Sequence, residues 1–483
     1  MIPRAALLIA ALLLAACDAR RDAGQIVVSA IGGDLRVDQP EPKDPDFARR
    51  VMLDATAQGL VRFDAAGQVE PGIAERWIVI DNGMSYIFRL RDATWQDGKP
   101  VTAAQVVTLL RRRLAGSGNA LRPFLSAIDE IVEMTPQVIE VRLNRPRPDL
   151  LKLFAQPDMA IFRARPPGGS GPLRVISMAR QQTVLRADVD LTRSPDDVAP
   201  PDARNDVRLR AERAALAVAR FAAGKSDLVS GGSFADWPLL ATVDIAPINR
   251  RLDPAAGLFG LAVTERSGFL AEAAHRAVIA AAIDRPAVLA AFTPAWLPVN
   301  QLLPEQLDSA ALPVAPAWAS IPADARLANA RRMVAAWQAT HPGQLTLRIA
   351  LPSGPGATLL YGRIGASLRA MGIQPARVGH KDPADLRLID AVAPYDSARW
   401  YLATACAPCG TEASDAIESA RLAPDAATRA LRIAAADSAL AADSAFIPLA
   451  RPLRWSLVAV RLDRWQGNAR AWHPLNHLRN DTK

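Results

Sequence analysis

Hydrophobic and polar positions along the chain follow two patterns. In one, a short apolar run is bounded by turn residues: "QIVVSAIGG" predicts a buried strand ending in a glycine turn, and "LTLRIAL" predicts another strand. In the other, polar and apolar residues alternate. Tyr86, Phe88 and Leu90 share one face while Arg89 and Arg91 take the other, and Trp77 to Ile80 reads as a neighbouring strand. Turn residues at "DAAGQ", Asn82-Gly83 and Asp97-Gly98 make residues 60 to 100 a run of β-hairpins.

Helical spacing takes over after the third turn. Pro100 keeps the residue before it extended, and Thr102 stands three residues ahead of Gln105, the spacing of a capping box. Val106, Val107, Leu109 and Leu110 supply the apolar stripe of the helix it starts. Further helices are predicted in "FARRVMLDATAQ", in "RAALAVARFAAG" up to Gly224, and over Ala271 to Ala282, Ala323 to Ala339 and Ala357 to Met371. "GGSGPLRVI" reads as a glycine turn into a strand. This alternation predicts an α/β fold with helices on the sheet faces, and no internal repeat is visible.

Composition adds scale and location. With 483 residues, half of them hydrophobic, the chain can bury more than one core, so two or three domains are expected. At the start, Arg4 precedes an apolar run from Ala5 to Ala16, too short to span a bilayer and suited to a cleaved export signal. Leu14-Ala15-Ala16-Cys17 resembles the bacterial lipobox. The expectation is therefore a signal peptide over 1–16, lipidation of Cys17, and a soluble body tethered on the periplasmic side of the cell envelope.

Net charge is +8, and 51 of the 57 basic residues are arginine. They are scattered among acids, with Arg111-Arg112-Arg113 the longest run, which argues against a nucleic-acid stripe. With Cys17 assigned to lipid, only Cys406 and Cys409 remain, and a short-loop disulfide is expected in an oxidising compartment.

Chemical motifs are sparse. "GKS" at 224–226 lacks the earlier glycine of a phosphate loop and follows a helix rather than opening one. His473 and His477 have a metal-like spacing, but Pro474 disturbs it and the other histidines are scattered, so no metal is expected. "GGSGP" lacks the last glycine of a nucleophile elbow, and neither Ser-x-x-Lys nor His-Glu-x-x-His occurs. No catalytic residue and no cofactor is expected.

The segments "GLVRFD…GQVEPGIAERW", "DNGMSYIFRLRDATWQDGKPVTAAQVV", "GSGPLRV", "FAAGKSDLV", "AAIDR" and "SLRAMGIQP", in this order, resemble the extracellular solute-binding proteins of family 5, the peptide, dipeptide and nickel class of ABC importers. The resemblance implies a two-lobe periplasmic-binding-protein clamp, type II and cluster C-like, with an extra hairpin-rich domain in the first lobe. On that analogy the first lobe comprises 17–45, 163–255 and 447–483, the extra domain 46–162 and the second lobe 256–446, with crossings near Gly257 and Phe446. The implied partners are a peptide-like solute held between the lobes and the permease that receives it, with the chain acting as a monomer.

Peptide-binding relatives hold the ligand's ammonium with an acid just before an aromatic in the second lobe. In "DAVAPYDSARWYL" that position falls on Pro394, with Ala391 where tryptophan is usual, leaving Asp390 or Asp396 as substitutes. The ligand candidates are Gly32 and Asp34 after the first strand, Phe259 near the crossing, and Asp390, Tyr395, Asp396, Arg399 and Trp400 in the second lobe. Pro394 also motivates a second reading, a scaffold or sensor that kept the fold and lost transport.

Overall fold

The computed structural model describes residues 24–37, 46–116, 121–187 and 202–478. The expected signal peptide and Cys17 lie outside the described residues.

The predicted first strand, Ile26–Ile31, runs parallel to both of its neighbours, Val207–Glu212 and Leu228–Ser233. A parallel strand is covered on both faces, which is why its sequence is nearly continuous in apolar residues. Around it the seven-stranded sheet runs Leu173–Ala179, Gln182–Ala187, Val207–Glu212, Ile26–Ile31, Leu228–Ser233, Arg454–Val458 and Arg250–Leu252.

A five-stranded sheet has the order Gln374–Gly379, Thr346–Leu351, Leu386–Val392, Gly257–Val263 and Phe446–Ala450. Every residue of Gly257–Val263 is buried, with an antiparallel partner on each side. The chain enters this sheet at Gly257, where φ is +152° and a Cβ would lie 2.1 Å from the Ala391 carbonyl oxygen, so a glycine is required. It leaves later than expected. Phe446–Ala450 still pairs with Gly257–Val263, and sheet membership changes only between Ala450 and Arg454, one strand beyond the expected crossing at Phe446.

The predicted hairpins are present. Val61–Phe63 pairs with Val69–Pro71, and Ala74–Ile80 with Ser85–Leu90 around the Asn82-Gly83 turn. Val138–Leu143, where Ile139, Val141 and Leu143 alternate with Glu140 and Arg142, and Ile128–Thr135, whose polarity is mixed, extend the second hairpin to a four-stranded sheet. Helix Ala103–Ala115 packs on it and opens with both halves of the capping box: Thr102 Oγ1 accepts from the Gln105 N–H and Gln105 Oε1 from the Thr102 N–H. The same Gln105 oxygen accepts the indole N–H of fully buried Trp95 at 2.9 Å, tying the helix start to the preceding turn.

One apolar core runs from the seven-stranded sheet through the hairpin sheet to helices Ala398–Ala405 and Ala426–Asp443. A second fills the space between the five-stranded sheet and helices Ala273–Ala282, Ala323–Thr340 and Pro355–Met371. Among the described residues no helix is long and apolar enough to cross a membrane.

Candidate ligand-binding cleft

Where the two large sheets approach each other they leave a cavity of about 400 Å³. The seven-stranded sheet contributes Ser230 to Ser233 and Arg454 to Ser456, and the five-stranded sheet contributes Asp390 to Val392 with Ala393 and Pro394 beyond. Phe47, Phe63 and Trp472 close the sides. Gly231 and Gly232 let these walls approach: a Cβ on Gly231 would fall 2.4 Å from the Phe47 ring and one on Gly232 2.2 Å from the Trp455 ring.

Charge in the cleft is paired across the two sheets. Arg454 Nη1 donates to both carboxylate oxygens of Asp390, at 2.8 and 3.0 Å, and Nη2 to the Asp390 carbonyl at 3.3 Å. Burial raises the Asp390 carboxyl, and Arg454 opposes that rise without cancelling it. Arg50 donates to Asp158 at 2.9 Å and lies 5.2 Å from the Trp472 ring centre. The Trp472 indole N–H donates to Asp54 at 3.1 Å, and burial pushes the Asp54 carboxyl up to about 6. Gln156 donates to the Pro394 carbonyl at 2.7 Å.

The sequence candidates divide. Asp390 lies in the cleft wall. Asp396 sits just outside, hydrogen-bonded by Lys152 and by Arg470, whose Nη1 also donates to the Ala393 carbonyl at 2.5 Å. Burial works to raise the Asp396 carboxyl, but the two cations outweigh it and hold it below the ordinary range.

The remaining candidates lie elsewhere. Phe259 is fully buried against Phe234 and Trp296, with ring centres 5.0 and 4.7 Å apart, because both neighbours of its strand and a helix layer cover it. Tyr395 is fully buried against Phe124, and its hydroxyl accepts from Arg147 at 2.9 Å. Trp400 packs edge-on to Tyr401, and Arg399 lines a different depression. Gly32 abuts Ala48 and opens on a separate groove beside Arg213, while Asp34 is tied to Arg36 in its own turn.

His473 faces Asp253 at 3.2 Å and His477 faces Glu70 at 2.7 Å. Among the described residues no three metal-ligating side chains form a group. Cys406 and Cys409 are joined by a disulfide.

Residues 68–374 match the family model described as "Bacterial extracellular solute-binding proteins, family 5 Middle". The chain belongs to this family. Family 5 proteins are solute-binding components of ABC importers and are not enzymes. The "Probable deoxycholate-binding periplasmic protein YgiS" of Escherichia coli is 44% identical over 69 residues, covering 14% of this chain and 13% of that protein. A "Probable peptide ABC transporter periplasmic-binding protein" of Sinorhizobium fredii is 31% identical over 128 residues, 24% of each chain. These alignments thus span a quarter or less of the curated relatives' length. The fold match is far more extensive: the crystal structure of Haemophilus influenzae OppA in complex with RPPGFSPFR gives a TM-score of 0.74 at 16% identity, over 94% of this family 5 chain and 98% of that one. The chain has the mixed α/β fold of periplasmic binding proteins.

The wall formed by Phe47, Phe63, Trp455 and Trp472 escaped the sequence reading. One clue was available for part of it: a Gly231-Gly232 pair inside a strand marks a place where other groups come close to the backbone. Nothing local to Arg454 or Trp472 marks them.

Proposed function

We propose that this protein is the solute-binding component of an ABC importer, anchored by lipid at Cys17, that captures a small peptide-like solute between two lobes and presents it to a membrane permease. The observation that carries this reading is the cavity of about 400 Å³ lined from both large sheets, a volume suited to a small ligand. On this reading the first lobe comprises 17–45, 163–255 and 447–483 with the added domain 46–162, and the second lobe 256–446; the pairing of Phe446–Ala450 with Gly257–Val263 favours moving the last boundary to 450. Four aromatic side chains offer apolar contact, while Arg50, Asp390 and Arg454 supply charge of both signs. Two carboxylates line the cavity, Asp390 bound to Arg454 and Asp253 facing His473, so a ligand ammonium would have to compete with an existing partner at either one.

Trp455 and Trp472 make the test direct. Titration of the purified mature protein with peptides, amino acids, opines and metal chelates is expected to change tryptophan fluorescence for at least one class, with the same ligand retained in native mass spectrometry. No response from any class would overturn the proposal. The anchor is tested separately: Cys17→Ala is expected to release the protein from the membrane fraction.

The pairing of Asp390 with Arg454, together with Pro394, also favours a second reading, a family 5 scaffold or sensor without transport. Permease and ATPase genes beside this one would argue against it.

A further inference from the structure

Away from the cleft, five arginines from three stretches of chain converge on one depression. Arg145 and Arg147 come from the loop after the hairpin sheet, Arg399 from helix Ala398–Ala405, and Arg421 and Arg429 from the helical pair Thr411–Arg421 and Ala426–Asp443. Three carboxylates lie close by. Arg421 Nε donates to Glu418 at 2.6 Å, Arg429 pairs with Asp308 at 2.7 Å, and Asp149 lies within the fields of Arg147 and Arg429. Five cations against three carboxylates leave an excess of positive charge.

That excess sits on the most deeply buried members. Arg147 and Arg399 are 5% and 6% exposed, and each has a buried Nε without a hydrogen-bond partner. Among the described residues the Arg147 side chain donates only to the neutral Tyr395 hydroxyl, and its guanidinium lies 5.1 Å from that ring's centre. Arg399 makes no hydrogen bond or ion pair among the described residues, and its contact is the Phe124 ring at 5.5 Å. Burial pushes Arg399 down to about 10, which still leaves it charged at neutral pH. A buried, unpaired guanidinium is expensive, and an aromatic face offsets only part of that cost.

We infer that this depression is an oxyanion site for a phosphate group, either the free ion or a terminal phosphomonoester. Its interior of about 20 Å³ seats a single oxygen-sized atom, so one anion oxygen enters while the rest of the group stays at the mouth. A tetrahedral anion offers several oxygens to guanidinium groups arriving from different directions, whereas a carboxylate offers two in one plane. The bound anion would tie the hairpin region to the helices that connect strands Leu386–Val392 and Phe446–Ala450 of the five-stranded sheet. This site stands independently of solute binding in the cleft.

The test is calorimetric titration of the full mature protein with inorganic phosphate and with glycerol 3-phosphate, at constant ionic strength against chloride. The expected result is saturable one-site binding, weakened about tenfold or more in Arg399→Met through loss of one charge-assisted contact. Arg399→Met is expected to melt no lower than the parent in phosphate-free buffer, since the substitution removes an unpaired buried charge. Arg145→Gln, nearer the rim, repeats the binding test should the Met variant misfold. Tighter binding of the ester assigns the site to an esterified phosphate, and equal affinity assigns it to the free ion. A phosphate response no larger than that of chloride, or unchanged phosphate affinity in the folded variants, would refute the site.

Discussion

Replacing Asp54 by Asn should stabilise the protein, and by an amount that depends on pH. Asp54 lies on helix Phe47–Thr56 beneath Trp472, whose indole N–H it accepts at 3.1 Å. Burial raises its carboxyl from an ordinary value of 3.8 to about 6; the Trp472 bond and the Arg62, Arg50 and His477 charges pull the other way and lose. Between those two values the folded chain holds a proton that the unfolded chain has released, so stability falls as pH rises through the window. Above it the folded state carries the whole penalty of the buried anion, about 3 kcal/mol for a shift of about two pH units. Asn cannot ionise, yet its Oδ1 still accepts from the indole. Urea unfolding of parent and variant at pH 4, 5, 6 and 7.5 should therefore give a gap near zero at the acid end, opening to about 3 kcal/mol in favour of Asn by pH 7.5. A gap that is constant with pH, or a variant weaker than the parent at pH 7.5, would show that burial of this carboxyl is not what raises its affinity for the proton.

Other substitutions probe the cleft and the scaffold. Gly231→Ala, at φ +90° and with its Cβ 2.4 Å from the Phe47 ring, should cost about 2 kcal/mol or more in thermal unfolding, and a neutral result would mean the Phe47 wall yields freely. Asp390→Ala leaves Arg454 without its carboxylate; the pair is 16% and 19% exposed, so a loss of about 1–3 kcal/mol is expected, and a double-mutant cycle with Arg454→Ala should recover part of it. Thr102→Ala should lose about 1 kcal/mol of chemical stability while Thr102→Ser keeps most of it, and equal losses would count against the cap.

What the amino-acid order determined by itself was local. Alternation at Tyr86, Phe88 and Leu90 set a strand's faces, Thr102 and Gln105 set a helix start, and Cys406 and Cys409 were close enough in sequence to join. Each depends on groups within a few residues of one another, so spacing is enough. The α/β alternation and the ordered motifs carried the family for the same reason. The cleft was different. Asp390 was named as a candidate, but its partner Arg454 lies 64 residues away, and Trp472 reaches Asp54 across 418. Phe259 and Tyr395 met the requirements of a pocket wall as well as Trp455 and Trp472 did, because apolar periodicity reports only that a side chain leaves water. Whether it then meets core, as Phe259 does, or an open cavity, as Trp472 does, depends on which strands pair and where the chain passes between sheets. Only tertiary structure sets that pairing, since it is decided by contacts whose members have no fixed spacing along the chain.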